Sequence, residues 1–215
     1  MSNCIHPPGA TPELVEYSVE RSIQALGSNS LKIRNLFKEA DGLLQSIAPI
    51  RKRVERLAVI REEVAAIVAP VSSCKEGCSH CCKMAVGITG TDAAAIAKHL
   101  GIKARPVPAI DLAALEDPRD AAVTKYMGTV CPFLKNNRCS IYEVRPMACR
   151  THYNLSAFPE VCNVIDYPGN DVPNLDWRPV WHAEAFLELE THGPNTRLGD
   201  IREFFPYGAD EPESL

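Results

Sequence analysis

Cys74-Lys75-Glu76-Gly77-Cys78-Ser79-His80-Cys81-Cys82 puts four thiols into nine residues, with Ser73, Gly77 and Ser79 marking the stretch as a loop. Core thiols are buried on apolar faces and do not gather in polar, glycine-containing loops, so burial does not account for this cluster. Working outward, a second group follows: Cys131-Pro132-Phe133-Leu134, Cys139, and Cys149-Arg150. Lys135-Asn136-Asn137-Arg138 reads as a tight turn that brings Cys131 and Cys139 face to face. Eight of the nine cysteines lie between Cys74 and Cys162, and only Cys4 stands outside. The spacing points to metal or cluster ligation.

Two kinds of centre fit the letters. Tetrahedral Zn²⁺ takes four N/S donors, commonly as close pairs from two loops; here Cys74/Cys78 or Cys78/Cys81 pairs with Cys131/Cys139 or Cys139/Cys149. An iron–sulfur cluster also takes closely spaced thiolates, so spacing alone does not choose. Adjacent Cys81 and Cys82 have Cα atoms about 3.8 Å apart, and in extended backbone their side chains diverge. If both ligate, two centres or a cluster with an extra thiolate suit them better than one ion. The seven clustered thiols with Cys162 make eight, although Val161 and Val164 suit Cys162 equally well to a packed position. His80 and His152 are candidates for ligands or for hydrogen bonds to a thiolate. His182 reads as a core-edge residue, and Cys4 and His6 as unengaged. Arg145 and Arg150 flank Cys149, where guanidinium groups offset thiolate charge, bind an anion or pair with Glu143. Cys74-x3-Cys78-x2-Cys81 also has the letters of a radical S-adenosylmethionine loop, but no alternating strand–helix pattern accompanies it.

Composition narrows the class. The chain has 215 residues, 46% hydrophobic and 23% charged, with 23 Lys+Arg against 27 Asp+Glu and a net charge of −4. That is a soluble globular composition without the positive field that collects nucleic acid. The best apolar run, Val64 to Val71, is eight residues long, too short to span a membrane. Met1 to Gly9 has neither a basic nor an apolar signal region, so a cytoplasmic location is expected, where thiols stay reduced.

The helical periodicity is strongest before the first cysteines. Residues 11–26 read as a helix, with Thr11 as cap, Pro12 at the first position and Gly27 as stop. Apolar residues from Ile33 to Ile47 and from Val54 to Ile67 keep helical spacing around Pro49, giving one kinked helix or two in succession. Arg51, Lys52, Arg53, Arg56 and Arg61 interleave with Glu55, Glu62 and Glu63, as on a solvated face. Met84–Thr89 reads as a short strand, Ala93–Leu100 as a helix opened by Thr89 to Asp92, and 111–127 as a helix broken at Pro118. Ile141–Arg150 reads as a short helix containing Pro146, Asp176–Glu190 as a helix, and Leu198–Phe205 as a last short helix. The expected fold is mainly α: a small cysteine-rich, metal-organised domain with long loops and few short strands, plus an N-terminal helical extension. The expected domains are a helical module at 1–70, a cysteine-cluster domain at 71–165 and a C-terminal helical segment at 166–215.

The ordered cysteines, with Cys139-Ser-Ile141-Tyr142-x-x-Arg145-Pro146-x-x-Cys149-Arg150 in register, resemble the bacterial CxxCxxCC family of zinc- or iron-chelating domains. The likeness covers residues 74–150; a similar cysteine pattern occurs in flagellin lysine N-methylases. It implies metal bound by Cys74, Cys78, Cys81, Cys82, Cys131, Cys139 and Cys149, with Cys162, His152, His80, Arg145 and Tyr142 as further ligands or neighbours. It favours an iron–sulfur cluster, 4Fe–4S in type, over Zn²⁺, with redox or methyl-transfer-like enzymatic chemistry on an unknown substrate near Arg145 and Tyr142. The alternative is a zinc-binding structural or interaction protein, or a metal carrier. Expected partners are a small molecule or a protein, with neither nucleic acid nor membrane, and a homodimer through the N-terminal helices.

Overall fold

The computed structural model describes residues 7–109, 125–167 and 171–209. In chain order the elements are α1 (Pro12–Leu26), α2 (Asn29–Gly42), α3 (Ile50–Val68), β1 (Gly87–Thr89), α4 (Gly90–Leu100), β2 (Leu134–Lys135), β3 (Arg138–Cys139), α5 (Met147–Arg150), α6 (Arg178–His192), β4 (Leu198–Asp200) and α7 (Ile201–Phe204). Short 3₁₀ turns punctuate them, including His80–Lys83, Tyr142–Val144 and Pro159–Cys162. The protein is mainly α; its described strands form two two-stranded sheets, β1–β4 and β2–β3. None of the described helices is long and apolar enough to cross a membrane.

Two compact units divide the chain. The first comprises Met1–Lys75 and Thr151–Thr191. Here Thr11 caps α1 by accepting the Leu14 N–H at 3.4 Å, with Pro12 at the first turn. The apolar pattern across Pro49 resolves into two helices, α2 and α3. The 3₁₀ turn Leu43–Gln45 ends the first, and extended Pro49 precedes the second. Along α3, Arg53, Leu57, Ile60, Val64 and Val68 form one buried stripe at helical spacing. Leu26, Ile33, Leu36, Trp177, Val180 and Leu187 add to this unit's core. Fully burying each such apolar side chain stabilises by roughly 1.5–3 kcal/mol. Arg53 is the charged member of the stripe. It donates to the carbonyls of Ala48 (3.0 Å) and Leu43 (3.4 Å) and pairs with Glu190 of α6. Trp177 meets Phe37 edge-on at 5.6 Å and donates its indole N–H to Asn174. His182 is exposed rather than at the core edge.

The second unit comprises Glu76–Arg150 and His192–Leu215. Its core is Val86, Ile88, Ala93, Ile96, Val107, Phe133, Ile141, Ile201, Phe204 and Phe205. Thr89 and Asp92 form a reciprocal capping box that starts α4, and left-handed Gly101 (φ 70°) ends it. β1 pairs antiparallel with β4 in the register Gly87↔Asp200, Ile88↔Gly199, Thr89↔Leu198. Leu198 to Asp200 are therefore strand where periodicity alone predicts helix. The helix is confined to Ile201–Phe204, capped by Asp200 with Glu203 reaching back. Ile141–Arg150 also divides: Arg145, before Pro146, is extended (φ −52°, ψ 136°), because proline's ring excludes the helical conformation there. The helix expected over 111–127 lies mostly outside the described residues.

Candidate metal centre

The second unit positions six of the cysteines. Ser79 leads into the turn His80–Lys83, closed by the Cys82 N–H on the Ser79 carbonyl (3.0 Å) and the Met84 N–H on the Cys81 carbonyl (3.1 Å). The Cys131 N–H then donates to the Cys82 carbonyl at 2.7 Å, which sets the two cysteine segments side by side. Asn136 and Asn137 both have positive φ (51° and 59°), the conformation of a type I′ hairpin turn. That turn pairs Leu134 with Cys139 across β2–β3 and returns the chain toward Cys131. Cys149 follows on α5, its N–H bonded to the Pro146 carbonyl at 3.0 Å. Cys131, Cys139 and Cys149 pack half-buried on the apolar core.

Four of these thiols feel one another's charge. The Cys81 hydrogen bond, helped by the charges of Arg202 and Arg145, holds the Cys82 thiol down to about 7, against the opposing effect of burial. Burial pushes Cys131 up to about 12, with Cys82 and Cys139 adding to the rise while a Phe133 N–H and Arg202 oppose it. Burial also raises Cys139, opposed by an Ile141 N–H and by Arg145. Cys149 is raised furthest, by burial and then by the charges of Cys131, Cys139 and Cys82. Ligation of a metal by this group would require all four thiols to release their protons, Cys82 the most readily.

Two cations serve it. The Arg145 guanidinium carbon lies over the exposed Tyr142 ring, 3.7 Å from its centroid, and its buried Nε has no hydrogen-bond partner among the described residues. Arg150 instead closes the local turn, donating to the carbonyls of Arg145 (2.6 Å) and Glu143. Arg202, from the C-terminal segment, is the residue the sequence reading missed. No spacing rule points to an arginine that far from the cysteines.

The first unit holds the remaining candidates. Ser73 pairs by its N–H with the Asn154 carbonyl (2.9 Å), and the Asn154 N–H donates to Cys74 Sγ at 3.4 Å. Cys162 is buried, 3% exposed, with Sγ 3.6 Å from His152 Nε2. Burial lowers His152 and keeps its imidazole neutral. Back in the second unit, Cys78 and His80 are half-buried in their loop.

Among the described residues, no three His, Cys, Asp or Glu side chains converge so as to hold a single ion. The donor chemistry nevertheless fits a thiophilic metal: the coupled donors of the second unit are all sulfur, with cationic side chains beside them. Residues 73–163 match the CxxCxxCC family model, described as "Putative zinc- or iron-chelating domain". No curated protein and no solved structure matches the chain.

Proposed function

We propose that this chain is a cytosolic iron–sulfur protein with a redox or cluster-dependent role. Its ligands are thiolates drawn from Cys78, Cys81, Cys82, Cys131, Cys139 and Cys149. The observation that carries this reading is an all-sulfur group brought together by the Cys131 N–H bond to the Cys82 carbonyl, the β2–β3 hairpin and the shared core under Cys131, Cys139 and Cys149. A zinc ion at about 2.3 Å from four tetrahedral sulfurs requires them closely gathered and has no use for a fifth or sixth thiol. A polynuclear cluster is held by thiolates set around a larger body.

When bound, such a cluster supplies one-electron transfer at a potential tuned by its charge, hydrogen bonds and burial. The chain's own residues have separable tasks. The N–H groups of Phe133 and Ile141 donate to the sulfurs of Cys131 and Cys139 and favour their thiolate forms. Arg145 and Arg202 offset accumulated negative charge. Phe133, Ile141 and their core neighbours exclude water from one side of the group.

Anaerobic purification without added metal, followed by iron, zinc and acid-labile sulfide analysis with the visible spectrum, tests the reading. Brown protein with matching iron and sulfide, lost in Cys82→Ser and Cys139→Ser, is expected. Colourless protein carrying zinc and no sulfide would overturn it in favour of a structural zinc site.

A further inference from the structure

Asp200 and Arg202 lie outside the residues that match the family, yet they are tied to both principal cysteine segments. Asp200 is fully buried and Arg202 is 6% exposed, with Nη1 2.8 Å from Asp200 Oδ1. The carboxylate is itself fixed. It accepts the Val86 N–H at 2.7 Å and the Arg202 N–H at 2.9 Å, and its strand pairs with β1. From that anchor the guanidinium donates to the Met84 carbonyl at 3.0 Å, two residues after Cys82. It also donates to the carbonyls of Thr129 and Val130, which immediately precede Cys131. One planar fork thus spans the backbone of both loops, which a single-point cation cannot do. The same C-terminal segment braces Cys131 twice more. Phe205 meets Phe133 edge-on at 5.3 Å, and Gly208 (φ +67°) sits so close that a Cβ would fall 2.4 Å from the Pro132 oxygen.

We infer that Arg202, anchored by Asp200, is a positioning residue of the cysteine group: it fixes the separation of the Cys81-Cys82 loop from Cys131 and so sets how firmly the group holds metal. The inference rests on the metal-binding reading but not on the choice of iron over zinc. A buried, fully bonded arginine is costly to desolvate, and a well-packed apolar residue of similar volume often serves stability as well. Its several acceptors on the two cysteine loops are what point to a role in spacing them.

The test uses the full chain loaded with Co²⁺, whose thiolate charge-transfer absorption reports sulfur geometry whichever metal is native. Arg202→Met removes charge and fork, Arg202→Lys keeps the charge alone, and Asp200→Asn weakens the anchor while preserving its shape. Ile96→Val trims the same core without touching the clamp. Far-UV circular dichroism identifies the folded variants, and Arg202→Lys and Asp200→Asn carry the test if Arg202→Met does not fold. Both arginine variants should shift or weaken the band and release Co²⁺ to a chelator roughly tenfold faster, in the range seen when outer partners of metal ligands are removed. Asp200→Asn should change in the same direction, and Ile96→Val should match the unaltered chain. Three results overturn the inference: Arg202→Lys behaving as the unaltered chain, all clamp variants doing so, or Ile96→Val reproducing the effect. An unaltered chain with no thiolate–cobalt band overturns the metal reading itself, whereas thiolate–cobalt binding in a natively zinc-bearing protein overturns only the iron–sulfur reading.

Discussion

Arg145 rests its guanidinium on the face of Tyr142, 3.7 Å from carbon to ring centroid, while its buried Nε–H finds no acceptor among the described residues. The ring supplies electrostatic attraction without a directed hydrogen bond, so the cation stays available to Cys82, Cys139 and Cys149, whose thiols it lowers. Tyr142→Ala should therefore cost about 0.5–1 kcal/mol in urea unfolding, and Tyr142→Phe almost nothing. Arg145→Met should speed chelator-driven metal loss roughly tenfold. Equal loss from Tyr142→Phe would show that the hydroxyl, not the ring face, matters.

The thiols make the metal-free chain sensitive to alkali. Cys131, Cys139 and Cys149 hold their protons more tightly folded than unfolded. Their contribution is complete below the ordinary thiol value of 9.0 and is lost as pH rises through the folded values, about 12 for Cys131. Cys82 works oppositely: its contribution is present above 9.0 and disappears as pH falls through about 7. The three raised groups outnumber it, so the urea midpoint under reducing conditions should fall between pH 8.5 and pH 10. A midpoint that rises over this interval would contradict the burial assigned to them.

Reactivity should follow the same order. At pH 7.5, in metal-free protein, Cys82 should be alkylated before Cys131, Cys139 and Cys149 when the labelled sites are mapped by mass spectrometry. Added metal should protect Cys82. Its affinity should increase with pH, since ligation requires the thiols to release protons.

The hairpin between Cys131 and Cys139 depends on two consecutive left-handed residues. Asn tolerates this conformation and β-branched residues do not. Asn136→Val and Asn137→Val should each cost about 1–2 kcal/mol in chemical unfolding. Asn137→Gly should be neutral or stabilising, because Asn-Gly is the preferred pair of a type I′ turn. Destabilisation by the glycine would mean that the Asn137 side chain is needed for its contact with Ser79.

Arg53 offers a contrast within the helical unit. Arg53→Met should cost about 2 kcal/mol by urea titration, because the carbonyls of Leu43 and Ala48 lose a buried donor. Glu190→Gln should cost under about 1 kcal/mol, since Glu190 is 40% exposed and its charge remains hydrated.

Local chemistry was readable from the chain. Thr11-Pro12, the Thr89–Asp92 box and the turn at Asn136-Asn137 act through neighbours within four residues, and each forms where its residue types require. The pairing of Leu198-Gly199 with Ile88-Thr89 was not readable. Three residues carry no decisive period, and the partner strand lies more than half the chain away. Arg202 was hidden as well: its acceptors on the cysteine loops are backbone carbonyls far away in sequence, which leave no mark there. The cysteine spacing announced metal chemistry and the turn announced the Cys131–Cys139 approach, while the joining of Cys82 and Cys149 to that pair came only from the folded chain.

The discontinuous make-up of both units carries a consequence for biosynthesis. Residues 192–215, which complete the cysteine-bearing unit, are translated after every cysteine has been made. Until they emerge from the ribosome, β1 lacks its strand, Phe133 lacks Phe205, and the loops around Cys82 and Cys131 lack their shared arginine. Throughout that interval the cysteine loops are without the braces that hold them apart in the finished fold.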